Sequence, residues 1–195
     1  MEKNRKMNIL KFDEKNHIYT RNGIRIPNVT EIISSVIPRD FNATEFQMHK
    51  GSMMHQAMAL FMNNNLNKST IDPRIKKRFE AGKRAVKELS LKPPYVIEKP
   101  LFHKIYNYAG KLDLYLPEQK LLIDWKSSPD KSSQPQGGAY ALLLENAGYK
   151  VNKFYEIILK DSGKYTVNEY KIAKCKRIFL SCLTIYNFLE KKGGE

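Results

Sequence analysis

The chain has 195 residues, of which 42% are hydrophobic and 28% are charged, so it is long enough to enclose a core and too apolar to stay disordered. Its 34 lysines and arginines exceed its 20 aspartates and glutamates, which gives a formal net charge of +14 and favours polyanionic partners such as nucleic acid through counterion release. A basic surface that serves only solubility has the same balance, so charge alone leaves both interpretations open.

The N-terminal part is predicted to contain a β-hairpin. The segments HIYT and IRIP alternate as strands around Arg21-Asn22-Gly23, and Asn-Gly is a strong signal for a tight hairpin turn. Asn28 can then cap a short helix that continues to Val36, with Glu31 at the third helical position as in a capping box. Pro38 ends this helix.

Two longer helices are predicted next. From Thr44 to about Asn64, apolar residues recur at helical spacing. A second helix is expected from Asp72-Pro73, a cap followed by proline in the first turn, to about Leu89. This second helix carries a run of seven basic residues. Such a run is either a solvated helix face or a track for a phosphate backbone.

Beyond Pro93-Pro94 the apolar pattern changes to a period of two. The segments YVIEKPLF, IYNYAGKLDLYL and KLLIDWKS predict three strands of a mostly antiparallel meander. A helix from Gln134-Pro135 to about Asn146 follows, then the strands VNKFYEIILK and KYTVNEYKI, and a last helix from Ala173 to Lys191. The strand-helix-strand passage between 120 and 160 predicts an α/β fold with a mixed central β-sheet flanked by helices.

We expect a single domain over residues 1–195, with a hairpin and helical part at 1–92, the sheet core at 93–170 and a C-terminal helix at 171–195. No apolar run approaches the ~20 residues that cross a bilayer, and the N-terminal MEKNRKMN lacks the apolar core of a secretory signal. The expectation is therefore a soluble, intracellular protein with no membrane partner.

The two cysteines limit the cofactors. Cys175 and Cys182 lie seven residues apart on a predicted helix, which is about 10 Å along its axis and too far for a disulfide. Two thiolates also cannot supply a four-cysteine zinc site or an iron-sulfur cluster, so we expect no iron-sulfur cluster.

The second and third strands of the meander bring two acidic residues together. A symmetric turn centred between Glu118 and Gln119 places Asp113 opposite Asp124. One face of this pair of strands is then predicted to be wholly apolar and buried, with Leu112, Leu114 and Leu116 facing Trp125, Ile123 and Leu121. The other face carries Lys111, Asp113, Tyr115, Leu122, Asp124 and Lys126.

Directly opposed aspartates repel each other, because their Cβ atoms are about 5 Å apart. A divalent cation between them removes this cost, and Mg²⁺ or Mn²⁺ suits carboxylate and water ligands. Lys126 projects from the same face as Asp124, beside such a cation. The alternative is an exposed polar face on which Asp113 and Asp124 each pair with a lysine.

These residues resemble a known family. Gly110-Lys111-Leu112-Asp113, a short hairpin, Ile123-Asp124-Trp125-Lys126, and then Gln136 and Tyr140 resemble the PD-(D/E)xK nucleases, in particular the RecB-like exonuclease branch. That branch shows a histidine on an upstream helix, which is His55 in GSMMHQAMALF.

The N-terminal segment adds to the resemblance. IPNVTEII is similar to the P-S-V-T-x-I-L segment of small phage exonucleases and of mitochondrial genome maintenance exonucleases, with Asn28 where serine is usual. The matching motifs extend roughly from Ile24 to Tyr140, and their specificity lies in their order and spacing.

The resemblance implies a restriction-endonuclease-like fold and a metal-dependent DNA nuclease. Its expected activity is that of an exonuclease, which hydrolyses phosphodiester bonds at single-stranded DNA ends in recombination, repair or replication. Its partner would be DNA, either single-stranded or with free ends, and its cofactor Mg²⁺ or Mn²⁺. A structure-selective endonuclease and a non-catalytic DNA-binding module with a vestigial site are the alternatives.

The resemblance also implies roles for particular residues. The catalytic set comprises Asp113, Asp124, Lys126, Gln136 and Tyr140, and the metal ligands comprise His55, Asp113, Asp124, the Trp125 carbonyl and Glu98. A lone histidine on an apolar helix is more often a core residue, and Glu98 could instead pair with Lys99 or Lys111 at the surface. His17, His49 and His103 match no motif and are expected to be structural.

Two glycines on the helix after the third strand cost helix propensity, about 1 kcal/mol each. Gly137 and Gly138 are explained either by close approach of the helix to the sheet or to a DNA backbone, or by a frayed first turn after Pro135.

Overall fold

The computed structural model describes residues 10–38 and 44–192. The N-terminal MEKNRKMN lies outside them. No helix within the described ranges is both long enough and apolar enough to cross a bilayer.

A small antiparallel sheet forms the N-terminal part. It consists of β1 (Leu10–Asp13), β2 (Ile18–Arg21) and β3 (Ile24–Ile26), in that order. Asn22 and Gly23 have φ angles of 52° and 82°, the left-handed values that a two-residue hairpin turn requires. The predicted hairpin is therefore confirmed, and β1 adds a third strand that was not predicted.

Three helices separate this sheet from the central one. They are α1 (Val29–Ser34), α2 (Glu45–Met62) and α3 (Lys76–Glu88), with a 3₁₀ turn at Lys68–Thr70 before α3.

The helix starts follow their capping groups. The Asn28 side chain caps α1, because it accepts a hydrogen bond of 2.9 Å from the Glu31 amide. The Glu31 carboxylate, which a capping box would direct back to the cap residue, accepts a hydrogen bond from Arg25. The prediction that α3 begins at Asp72-Pro73 is wrong. The Asp72 carboxylate accepts from the Arg74 amide at 2.8 Å and closes a turn, and the helix begins only at Lys76.

The central sheet has five strands in the order β4 (Val96–His103), β5 (Tyr108–Leu116), β6 (Leu121–Lys126), β7 (Lys153–Leu159) and β8 (Tyr165–Tyr170). β6 and β7 are parallel and are joined by α4 (Ser133–Asn146), and the other neighbours are antiparallel. The chain ends in α5 (Ile172–Lys192). This is the mixed α/β sheet with flanking helices that the sequence predicts.

Helices cover both faces of the central sheet. α1, α4 and α5 pack on one face, and α2 and α3 pack on the other. We call the first core the α4 side, which includes Phe154 and Phe179, and the second the α2 side, which includes Met58 and Phe79. Both faces of the sheet are therefore buried, and a polar residue in the middle of a strand must find its partners inside the protein.

The β5–β6 register is the predicted one next to the turn, because Leu114 pairs with Ile123 and Leu116 with Leu121, but the ladder ends before Asp113 and Asp124. The prediction of a continuous apolar face is wrong, however. Leu112 packs on the α4 side, whereas Leu114 packs on the α2 side. The strand therefore exchanges its faces at Asp113.

The neighbouring strand β4 exchanges its faces at the matching position. Leu101 packs on the α4 side and Ile97 on the α2 side. Glu98, which stands across from Asp113 in the β4–β5 ladder, has a φ of 47°. A left-handed residue within a strand rotates the following side chains to the other face, which accounts for the exchange.

Gly137 and Gly138 allow α4 to approach its neighbours. A Cβ at Gly137 would lie 2.3 Å from the Phe154 ring, and one at Gly138 would lie 2.2 Å from the Cys175 carbonyl oxygen. Since α4 begins at Ser133, neither glycine lies in a frayed first turn. Close packing of α4 on β7 and α5 explains both, and no DNA backbone is needed.

We expect Gly138→Ala to destabilise the protein, because the added methyl group meets rigid backbone. Overpacking of this kind costs about 1–3 kcal/mol or more, and 1 kcal/mol corresponds to roughly 2–4 °C in Tm for a chain of this size. Gly51→Ala is the control: it lies within α2, where a Cβ meets nothing within 4 Å, and should stabilise by up to about 1 kcal/mol. Thermal unfolding measures both. Equal or higher Tm for Gly138→Ala would contradict the packing.

Candidate metal site

Polar side chains from five elements meet where β4 and β5 exchange their faces. They are His55 from α2, Glu98 from β4, Asp113 from β5, Asp124 and Lys126 from β6, and Gln136 and Tyr140 from α4. Of the metal ligands that the resemblance implies, His55, Glu98 and Asp113 form one group that could hold an ion, whereas Asp124 is not a member of that group.

Asp113 connects two of these elements. Its Oδ1 lies 3.1 Å from His55 Nδ1, and its Oδ2 accepts a hydrogen bond of 2.9 Å from the Trp125 amide. Its side chain is only 12% exposed. The alternative of an exposed polar face, with each aspartate paired to a lysine, is therefore wrong for Asp113.

His55, Glu98 and Asp113 form a group that could hold a metal ion. One donor atom from each residue can be chosen so that all three atoms lie within 4.8 Å of one another. An imidazole with two carboxylates is a suitable donor set for Mn²⁺, and the carboxylates also suit Mg²⁺.

Glu98 reaches this group from a strained backbone. A left-handed conformation at a residue other than glycine costs about 1–3 kcal/mol, and such strain clusters at functional sites. The Lys111 ammonium lies 2.6 Å from Glu98 Oε2. Glu98 is therefore both paired with Lys111 and placed at the metal group.

Asp124 stands beside the three-residue group. It is 1% exposed, and its Oδ2 lies 2.9 Å from Lys126 Nζ. This oxygen nevertheless accepts no hydrogen bond of normal geometry from the described residues. A buried carboxylate oxygen needs a hydrogen bond or an opposite charge. The Lys126 ammonium supplies that charge, and the same carboxylate has the chemistry of a ligand for a hard cation.

Lys126 is held from the other side by α4. Its ammonium donates to Gln136 Oε1 at 2.6 Å, and Gln136 Nε2 donates to the Tyr140 hydroxyl at 3.1 Å. Gln136 and Tyr140 are four residues apart and so share one face of the helix. The Lys126 side chain is only 17% exposed. The position of its ammonium group is therefore fixed by Asp124 and Gln136 rather than by contacts with water.

The charges of the site are coupled. Burial alone would raise the pKa of Asp113, but His55, the Trp125 amide and Lys126 lower it below its usual value. Burial alone would lower the pKa of His55, but Asp113 and then Asp124 raise it to about 9. His55 therefore carries a proton at neutral pH in the metal-free protein and must lose it to bind a metal.

Asp124 and Lys126 shift in a related way. Burial, reinforced by Asp113 and opposed by Lys126, raises the pKa of Asp124 to about 6. Burial alone would lower the pKa of Lys126, but Asp124 and Asp113 raise it above its usual value. Burial also raises the pKa of Tyr140 well above its usual value, as do the two aspartates. Lys126 is thus a cation and Tyr140 a neutral hydroxyl at neutral pH.

The N-terminal sheet borders the site. The sequence did not predict this contact. Lys111 pairs with Glu14 at 3.2 Å as well as with Glu98, and its ammonium lies 5.6 Å from the centre of the Phe12 ring. Phe12 stacks on the buried Tyr19 at 4.5 Å. The sequence marked Lys111 through the G-K-L-D spacing and as a possible partner of Glu98, but nothing linked it to Glu14.

The histidines outside the motifs differ in their surroundings. His103 is buried, and its Nδ1 accepts from the Tyr106 amide at 3.1 Å, which is the structural role expected for it. His17 is exposed, with a φ of 52° in the β1–β2 turn, and His49 is exposed on α2. The Trp125 amide is engaged by Asp113, and a metal-ligand role for its carbonyl stays a prediction.

Comparison with known proteins gives a fold likeness. No protein-family model and no curated protein sequence matches this chain. A solved structure named "putative exonuclease", from Eubacterium rectale, matches over 87% of this chain and 82% of its own, with 10% identity and a TM-score of 0.55.

Two further structures match with lower TM-scores. A phage-related exonuclease from Haemophilus somnus 129PT is 15% identical over 86% of this chain and 96% of its own, with a TM-score of 0.39. LHK-Exo in complex with dAMP is 13% identical over 87% and 93%, with a TM-score of 0.41. At these scores neither match supports an argument.

The chain therefore has an exonuclease-like α/β fold, as the resemblance to the PD-(D/E)xK nucleases implied. At 10% identity the likeness concerns the fold alone. What the protein does must be argued from its own site.

We expect Asp124→Asn to raise the Tm of the metal-free protein. The pKa of Asp124 is about 6 in the folded state against a usual 3.8, so ionising it in place destabilises the fold. The free-energy cost of ionising Asp124 in the folded protein grows as the pH rises from about 3.8 to about 6, and it is constant above pH 6. The gain in Tm should therefore be larger at pH 8 than at pH 5, by a few degrees.

Thermal unfolding in EDTA at the two pH values measures this gain. Asp161→Asn is the control. Burial alone would raise the pKa of Asp161, but its salt bridges with Lys50 and Arg78 together hold this pKa below its usual value. That substitution should not raise the Tm. A lower Tm for Asp124→Asn at pH 8 would show that the carboxylate is fully satisfied without a metal.

Proposed function

We propose that this protein is a metal-dependent DNA nuclease, most simply an exonuclease that hydrolyses phosphodiester bonds at single-stranded DNA ends in recombination, repair or replication. The observation that carries the proposal is the partly buried group of His55, Glu98 and Asp113, which could hold a metal ion, beside the buried Asp124. The exonuclease-like fold and the net charge of +14 support it.

His55, Glu98, Asp113 and Asp124 would hold Mg²⁺ or Mn²⁺, with the Trp125 carbonyl as a further ligand. When bound, such an ion lowers the pKa of a coordinated water and stabilises charge on the phosphate. The chain's own part is to fix these donors. Asp113 is fixed by the Trp125 amide and Glu98 by Lys111.

Lys126 would stabilise the negative charge that develops on the phosphoryl oxygens. Its raised pKa keeps it protonated, which favours charge stabilisation and orientation of water over removal of a proton. Gln136 fixes the direction of the ammonium, and Tyr140 holds Gln136. Together they would hold the Lys126 ammonium group beside Asp124, where it could contact a bound phosphate.

The basic run on α3 contributes less to DNA binding than its sequence suggests. Arg78 pairs with Asp161, Arg84 donates to the Gly163 carbonyl, and Lys83 pairs with Glu80. Two of these contacts tie α3 to the β7–β8 turn. We therefore attribute attraction of DNA to the overall positive charge.

We expect Asp124→Ala and Lys126→Ala to bind DNA but to cleave it at least roughly 10²-fold more slowly than the parent, because each loses a charge that acts on the reacting phosphate. A fluorescent single-stranded oligonucleotide with Mg²⁺ or Mn²⁺ measures cleavage, and anisotropy measures binding. Lys176→Ala, which removes the half-buried pair with Glu145, is the control and should keep its activity. A parent protein that binds DNA but never cleaves it would instead be a non-catalytic binding module.

An exonuclease needs a strand end. We therefore expect covalently closed single-stranded circles to stay intact under conditions in which the linear form of the same sequence is degraded, as judged by denaturing gel electrophoresis. Cleavage of the circles at a comparable rate would identify an endonuclease and would reject the exonuclease part of the proposal.

A further inference from the structure

A second buried acid lies beside the candidate metal site. Glu156, in the middle of β7, is 1% exposed and pairs with Asp124 in the parallel β6–β7 ladder. Side chains of paired residues point to the same face of a sheet. Leu122 and Phe154, which precede these two acids by two residues, both pack on the α4 side. Glu156 therefore points towards α4, where a carboxylate is costly unless hydrogen bonds satisfy it.

Three donors satisfy the Glu156 carboxylate. The Ser133 hydroxyl donates to its Oε1. From β8, the Asn168 side-chain amide and the Tyr170 hydroxyl donate to its Oε2 at 2.8 and 2.9 Å. Both oxygens are thus engaged by the protein itself, and Glu156 is not a member of the metal group. Its contacts join β7 to β8 and to α4.

The contact with α4 is made at the first residue of that helix. Ser133 begins α4 and is fully buried. Gln136 lies three residues further on and so shares its face of the helix, and its Oε1 accepts from the Lys126 ammonium at 2.6 Å. The first turn of α4 is therefore attached to two neighbouring strands, to β7 through Glu156 and to β6 through Lys126.

The connection that leads into α4 gives this turn little support. Residues 127–131, between β6 and the helix, are exposed, and the N-cap residue Ser132 makes no side-chain cap hydrogen bond. Close packing of Gly137 on the Phe154 ring determines how near the helix lies to the sheet. A hydrogen bond has a preferred direction, so the bond from Ser133 to Glu156 also determines the rotation of the first turn.

We infer that Glu156 is a positioning residue for the candidate site. Through Ser133 it fixes the first turn of α4. That turn carries Gln136, whose oxygen holds the Lys126 ammonium beside Asp124. The inference rests on the proposed function and deepens it, because it adds an acid that acts on the reacting phosphate only through other residues.

Ser133→Ala removes the link to α4 and leaves the two other hydrogen bonds of Glu156 in place. We expect kcat for a single-stranded oligonucleotide at saturating Mn²⁺ to fall roughly 5- to 100-fold, because a displacement of about 1 Å at a reacting centre costs up to about 10²-fold. KM should change little. Glu156→Ala is less informative, since it leaves three buried donors without their acceptor and destabilises the whole fold.

Tyr170→Phe is the matched control. It removes one hydrogen bond from the same carboxylate, keeps the ring that stacks on Phe154 and leaves the bond from Ser133 intact. This variant should lower Tm about as much as Ser133→Ala does and should keep the parent kcat. The positioning role is overturned if both variants keep the parent kcat, or if both lose it equally.

A double-mutant cycle tests the route through Gln136. Gln136→Ala removes the acceptor of the Lys126 ammonium, so adding Ser133→Ala to it should lower kcat further by no more than about twofold. If the two substitutions act independently, their separate effects on kcat multiply. Multiplied effects would show that Glu156 does not act through Gln136, and would overturn the inference.

Hydrogen exchange tests the attachment of α4 without any cleavage. The Gln136 amide donates to the Ser132 carbonyl at 2.9 Å in the first turn of α4. In the metal-free protein, NMR should show this amide exchanging roughly 10-fold faster in Ser133→Ala, because one hydrogen bond that holds the turn is lost. The rate should be unchanged in Tyr170→Phe. An unchanged rate in Ser133→Ala would also overturn the inference.

The two proposals fail in different ways. If the parent cleaves DNA and Ser133→Ala keeps its kcat, the positioning role is wrong and the nuclease stands. If the parent never cleaves DNA, the nuclease proposal is rejected, and the exchange rate of the Gln136 amide still decides whether Glu156 fixes the start of α4.

Discussion

The rest of the site depends on one carboxylate, Asp113, which is held between two separate elements. One oxygen pairs with His55 on α2 and the other accepts from the Trp125 amide on β6. Because the two oxygens are engaged by two different elements, rotation of the side chain towards solvent would break both contacts. A carboxylate held in this way keeps its negative charge, and that charge helps to raise the pKa values of His55, Asp124 and Lys126 around it.

Placing such a residue in the middle of a two-sided sheet requires a break in the strand pattern. β4 and β5 exchange their faces at Glu98 and Asp113, so that the chain can bury leucine on both sides while both acidic residues meet His55 between the layers. The left-handed backbone of Glu98 is the cost of this arrangement. Backbone strain and the candidate metal group of His55, Glu98 and Asp113 therefore coincide at Glu98.

The cationic residues divide into those that fix the helices and those that lie at the candidate metal site. Arg78, Arg84 and Lys83 on α3 are engaged with neighbouring carboxylates or carbonyls and fix α3 against the β7–β8 turn or to itself. Lys111 instead pairs with Glu98, and Lys126 pairs with Asp124. A high net charge is thus compatible with only a few cations that act at the site.

The sequence by itself determined the features that depend on local spacing. Tight-turn geometry fixes the β5–β6 register, an interval of two residues puts Lys126 on the face of Asp124, and an interval of four puts Gln136 and Tyr140 on one face of α4. Only the tertiary structure decided between the alternatives for Glu98, which lies more than forty residues from His55 in the chain, joins His55 and Asp113 and also pairs with Lys111. It also decided that Lys111 connects this group to the N-terminal part through Glu14. These features depend on how separate layers pack and on a left-handed residue within a strand, neither of which has a periodic signal in the sequence.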